Sequence, residues 1–158
     1  MTFIQTCKKA MLLPLTAGAL SIMTAGAHAA LTPEQLDAAL NSAEEYGFTH
    51  YEEISFDDGA VDIEGWLGDA WDAEVEFTLD GNVLKEERKR GNGTAQGLSE
   101  AEVRQTIDTV GAEGMTRIEQ IETHRGSFIE VEGVDANGRE LEIRISRETG
   151  EVVHTDHD

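Results

Sequence analysis

Past residue 29 the chain has no cysteine; its single cysteine is Cys7. Thiol catalysis, CxxC redox chemistry and cysteine-ligated metal sites are therefore excluded from the rest of the chain. Lysine and arginine are absent over a long interval, with none between Lys9 and Lys85. Without Lys8 and Lys9, ten basic residues face 32 acidic ones, a net charge of −22. A surface of that sign repels phosphate backbones, so nucleic acid and anionic membrane are poor partners. It fits a docking face for a basic protein or for cations, or a solubility adaptation whose carboxylates face only water. No G-x-S-x-G or H-E-x-x-H occurs, so neither the serine-hydrolase nor the zincin pattern is present. Cys7 also lacks a small-residue lipidation context.

The first 29 residues read as a targeting segment. Lys8 and Lys9 form a basic start, an interrupted apolar run follows, and Ala27-His28-Ala29 is an A-x-A cleavage signal. The apolar run is short for a bilayer span of about 20 residues. No later segment is apolar enough to cross a membrane. The expectation is a periplasmic or secreted chain with no membrane span after cleavage. About 129 residues then remain, enough for one ordinary domain or two very small ones.

Those residues contain one plan twice. At a constant offset of 67, Leu31 matches Leu98, Gly47 matches Gly114, Thr49 matches Thr116 and Ile54 matches Ile121. A slip of one residue then aligns Val61-Asp62-Ile63-Glu64-Gly65 with Ile129-Glu130-Val131-Glu132-Gly133. The pattern reads as a tandem duplication, divided as a signal peptide (1–29), a first repeat (30–90), a linker (91–97) and a second repeat with a short polar tail (98–158).

Each repeat opens on a helix. Thr32 and Gln35 form a capping box, Pro33 suits the first helical position, and Leu31 with Leu36 forms a hydrophobic staple. Ser99 with Glu102, and Leu98 with Val103, repeat both devices. Leu36, Ala39, Leu40 and Ala43 make one apolar stripe, and Gly47 and Gly114 are natural stops. Strands are expected at 49–56, 61–66, 71–79, a short piece at 83–84, and then 117–122, 128–134, 140–146 and 151–154. The segment 71–79 alternates most strictly, with Trp71, Ala73, Val75, Phe77 and Leu79 on the inward side. The basic run at 85–90 fits a partner contact, and better fits pairing with the chain's own acidic surface or simple solvation. The fold class is α+β, each repeat an N-terminal helix on a three- to four-stranded antiparallel sheet. A lone repeat has a marginal core, so the two are expected to share an interface.

The order helix, Gly-Phe or Gly-Met, strand, turn, alternating strand and closing hairpin resembles the PepSY domain family. The likeness is strongest at 98–154, where Leu141-Glu142-Ile143-Arg144-Ile145-Ser146-Arg147-Glu148-Thr149-Gly150-Glu151-Val152 looks like the family's closing hairpin. The first repeat departs there, with the shorter Leu79-Asp80-Gly81-Asn82-Val83. The resemblance implies an extracytoplasmic accessory module. In secreted peptidases such domains lie in the propeptide and inhibit or assist the enzyme. No peptidase region is present, so such an action would be in trans, on a peptidase or an envelope sensor. The family brings no catalytic residue and no cofactor.

The remaining candidates come from the residues themselves. Tyr51 and Trp66 do not follow the inward alternation, so they are either exposed aromatics that bind a protein or peptide partner, or core. His154, Asp156 and His157 offer two imidazoles and a carboxylate close together, suited to a divalent metal. The two function classes are a non-enzymatic binding or regulatory protein and an envelope metal-cation-binding protein. Asp135-Ala136-Asn137-Gly138 superficially resembles a calcium loop but lacks the third oxygen ligand before Gly and the distal bidentate Glu, and reads as a turn.

Overall fold

A computed structural model describes residues 30–91, 93–124 and 127–157. The signal peptide expected at 1–29 lies outside them. The element order is α1 (Pro33–Tyr46), β1 (Phe48–Asp57), β2 (Ala60–Leu67), β3 (Trp71–Thr78), β4 (Val83–Arg90), α2 (Glu100–Ala112), β5 (Met115–His124), β6 (Phe128–Asp135), β7 (Glu140–Ser146) and β8 (Val152–His157). The class is α+β, a helix followed by four strands, twice over.

Both helix starts form as their sequences direct. Thr32 accepts from the Gln35 amide while the Gln35 side chain accepts from the Thr32 amide, and Ser99 with Glu102 does the same. These reciprocal bonds satisfy amide donors that the first turn leaves unpaired. Gly47 ends α1 at φ 119°, a left-handed conformation that costs a Cβ-bearing residue energy.

Two separate sheets were expected; the strands instead form one. The spatial order is β4-β3-β2-β1-β5-β6-β7-β8, all antiparallel, because β1 pairs with β5 at Glu53–Glu122, Ile54–Ile121 and Ser55–Gln120. Nor does each helix roof only its own strands. Both α1 and α2 lie over the central pair β1 and β5, and they touch one another. A single apolar cluster results, joining Leu36, Leu40 and Ala43 of α1, Val103, Ile107 and Val110 of α2, and inward residues of β1, β2, β3, β5, β6 and β7. Sharing the interior gives each small half the buried area it lacks alone.

β1 and β5 depart from simple alternation. Their buried residues are Phe48, Tyr51 and Ile54 in one and Met115, Ile118 and Ile121 in the other, spaced by three. Each strand carries two register irregularities, between Phe48 and His50, Tyr51 and Glu53, Met115 and Arg117, and Ile118 and Gln120. An inserted residue shifts the phase of the pleat, so a period of three buries one face. The Thr49 and Thr116 hydroxyls donate to the Trp66 and Val134 carbonyls at these points.

The outer strands also differ from expectation. The short piece at 83–84 is an eight-residue edge strand, β4, exposed along its whole length. The basic run lies within it and pairs with nearby acids, Lys85 with Glu74 and Glu87, Arg88 with Glu86, and Lys89 with Asp72. Charged side chains on an edge also discourage pairing with other chains. The expected polar tail belongs to β8, which pairs with β7 out to His157. Trp71 and Leu79, assigned inward at the two ends of β3, are exposed because the helices cover only the sheet's middle.

Candidate functional site

With both helices on one face, the alternate side chains of the strands form a second face over which no described helix packs. The strand registers align those side chains in rows across the sheet. One row reads Glu87, Glu74, Glu64, Glu53, Glu122, Glu130, Arg144 and His154, from β4 to β8. Six successive strands thus each contribute a glutamate at the same level. The adjacent row reads Lys85, Glu76, Asp62, Ser55, Gln120, Glu132, Glu142 and Asp156. At the usual 4.7–4.9 Å between strands, the glutamate ladder runs roughly 24 Å.

Like charges directly opposite one another destabilise a sheet. The cations in the two rows stand only toward the margins. Lys85 lies 3.3 Å from Glu74 and 3.1 Å from Glu87, while Arg144 lies 2.5 Å from Glu130 and 3.3 Å from Glu142. Neither row has a lysine or arginine on β3, β2, β1, β5 or β6. Glu53 receives an amide bond from Gln120 at 2.7 Å instead. Partial burial, reinforced by neighbouring carboxylates, raises the pKa of Glu53, Asp62, Glu64 and Glu132 above ordinary values.

The aromatic residues are redistributed relative to expectation. Tyr51 is 1% exposed, turned inward by the bulge beside it and stacked on Phe48 at 5.9 Å. Trp66 lies on the glutamate side of β2 but is only 6% exposed. The backbone at Gly91 packs against its ring, and its indole N–H donates to Glu52 at 2.9 Å. Neither side chain therefore presents a surface to a partner. Phe128, by contrast, is exposed, and the sequence did not single it out. It alternates with Glu130 and Glu132 along β6, which places it on the glutamate face, and it is 40% exposed. Its place beside a carboxylate at every second residue was the available signal.

His154 and Asp156 share the glutamate face at the β8 edge, opposite Arg144 and Glu142, whereas His157 alternates to the other side. The three do not converge on one point. Among the described residues no group of three or more His, Cys, Asp or Glu side chains is arranged to hold a metal ion.

A second polar cluster ties the two ends of the second half together. Arg147 donates to Glu102 at 2.8 Å and to the Gly97 carbonyl at 2.7 Å, and Glu102 accepts from Ser99. The Arg147 bond above all, with the Ser99 bonds beside it, holds the Glu102 pKa down at about 2. This clamp fixes the start of α2 and the end of the 91–97 connection against β7. Its guanidinium is occupied by these structural partners.

Comparison with known proteins gives one family match. The family described as "Peptidase propeptide and YPEB domain", PepSY_2, matches residues 87–156. Among solved structures, a protein of Clostridium difficile 630 assigned as a lipoprotein is 11% identical, with 81% of this chain and 93% of that chain covered and a TM-score of 0.45. No curated protein matches the chain.

Proposed function

We propose that residues 87–156, which match the PepSY_2 family model, form a PepSY-type domain, and that the chain is a non-catalytic, extracytoplasmic interaction protein that regulates another protein in trans. The family match carries this reading, since its description places such domains in peptidase propeptides. The targets in this reading are a peptidase, in keeping with the family's description, or an envelope sensor. Periplasmic or secreted location is supported by the signal-like residues 1–29. No described helix is long and apolar enough to cross a membrane.

We read residues 30–90 as a diverged second copy of the same unit. The paired capping boxes, the bulges of β1 and β5, and the matched hydroxyls of Thr49 and Thr116 all support this. So does the crossing of backbone bonds between the halves, from Leu31 to Ile118 and from Leu98 to Tyr51.

The test is in-cell crosslinking of the full chain in its native envelope, followed by reconstitution with the purified partner. A saturable, stoichiometric complex that alters the partner's activity is expected. Failure to find any saturable protein partner, or substrate turnover by the chain alone, would overturn the proposal.

A further inference from the structure

We propose that the glutamate face of the sheet is the docking surface, and that its occupant is a lysine- or arginine-rich polypeptide segment of the partner. This rests on the reading of the chain as an interaction protein and names the surface it uses. Two independent observations on the same face lead to it.

The first is the charge ladder. Its glutamates stand on six neighbouring strands, and the inner five strands of both rows lack any cation. An arrangement that costs the isolated fold stability becomes favourable when opposite charge arrives from outside. The second is Phe128, a large aromatic left 40% exposed beside Glu130 rather than folded into the core. Solvated acidic surface needs no such residue. An interface that buries a polypeptide uses aromatic anchors of this kind.

The other classes of occupant fit poorly. Nucleic acid and anionic membrane carry the same sign of charge as the face, and so does a second copy of this chain. A single metal ion needs convergent ligands, and no such cluster occurs among the described residues. The ladder instead spreads its charge over roughly 24 Å, the dimension of a polypeptide segment. The helix side is not equivalent, because α1 and α2 cover its middle and most of its apolar residues are spent in the shared core, with Trp71 exposed only at its margin.

The test uses the full chain and a fluorescein-labelled lysine peptide with leucine at every third position, read by fluorescence anisotropy. Saturable binding that weakens with salt is expected. The variant Glu53→Gln/Glu64→Gln/Glu132→Gln should weaken it by about tenfold or more. A control that removes equal charge elsewhere, Glu44→Gln/Glu45→Gln/Glu113→Gln, should change it by less than about twofold. Phe128→Ser should weaken binding by about threefold or more with melting behaviour preserved. Equal losses in the two charge variants would overturn the proposal in favour of diffuse attraction. An unchanged Phe128→Ser affinity would overturn it as well. So would stoichiometric displacement of the peptide by calcium chloride at constant ionic strength, which would mark a metal site. If the crosslinked native partner binds the ladder variant as well as the unaltered chain, the surface is wrong while the interaction reading stands. If no native partner exists, both fall.

Discussion

Leu31 and Ile118 exchange both backbone hydrogen bonds, at 2.7 and 2.8 Å, although they lie in opposite halves of the chain. Leu98 and Tyr51, each displaced by 67 residues in the opposite sense, make the same exchange at 2.7 and 2.8 Å. Each half therefore bridges the residue before its helix N-cap to the central strand of the other. With the β1–β5 pairing and a common core, neither half closes alone. Residues 98–158 produced by themselves should not give a cooperative monomer, because β5 keeps β6 but loses β1 and the cover of α1, leaving Ile118 and Ile121 less covered. Thermal denaturation with light scattering checks this. A sharp transition in a monomeric sample would contradict it.

The glycines separate steric need from conformational cost. At Gly133 a Cβ would lie 2.2 Å from the Arg117 carbonyl oxygen, and at Gly65 a Cβ would lie 2.1 Å from that of His50. Backbone atoms cannot swing aside as side-chain ends can. Gly133→Ala should therefore destabilise by at least the 1–3 kcal/mol usual for overpacking, on the order of 3 kcal/mol. Gly111 is different, since it sits inside α2 with open space where a Cβ would go. Gly111→Ala should stabilise by about 0.5–1 kcal/mol through helix propensity. Chemical denaturation of the two variants reads both signs in one experiment.

Tyr51 is a nearly inaccessible residue whose hydroxyl has no hydrogen-bond partner among the described residues. Burial, with Glu100 and Glu44 nearby, drives its pKa well upward, so the phenol stays protonated. A buried unpartnered donor costs roughly 1–3 kcal/mol, while the ring itself packs on Phe48. Tyr51→Phe keeps the ring and removes the hydroxyl. It should leave stability unchanged or raise it by about 1 kcal/mol. A loss of stability in urea denaturation would show that the hydroxyl is bonded in solution.

What the sequence made legible followed from local rules. The capping boxes at Thr32 and Ser99, the stop at Gly47 and the alternation of β3, β6 and β7 each act within a few residues and need no knowledge of the other half. The fusion of two sheets into one depends on contacts such as Ile54 with Ile121, which no local pattern announces. Tyr51 was ambiguous for a related reason, since a bulge changes the pleat's period and makes an inward residue look out of phase. Trp66 was out of phase in fact, yet Gly91 covers it, a contact set by the path of the connection. The charge imbalance was plain from composition. Its arrangement as a row required the registers of seven strand pairs.

The two acidic rows give stability an unusual pH dependence. The raised pKa values of Glu53, Asp62, Glu64 and Glu132 mean that the folded state holds their protons more tightly than the unfolded chain does. Their stabilising effect is fully present below the ordinary carboxylate range and is lost as pH rises through the raised values. Glu102 acts in the opposite sense. Its folded pKa of about 2 supplies stability above the ordinary 4.5, and that stability is lost as pH falls toward 2. The two effects together place maximal stability in mildly acidic solution, with a decline toward neutral pH and another in strong acid. Added salt should flatten the neutral-side decline by screening the ladder. Glu64→Gln, which removes one charge between Glu53 and Glu74, should stabilise the neutral protein by about 0.2–1 kcal/mol and have little effect at acidic pH. Melting temperatures of both proteins across pH, at low and high salt, decide the matter. A wild-type melting temperature that rises steadily from mildly acidic to neutral pH would show that the face is not under electrostatic strain.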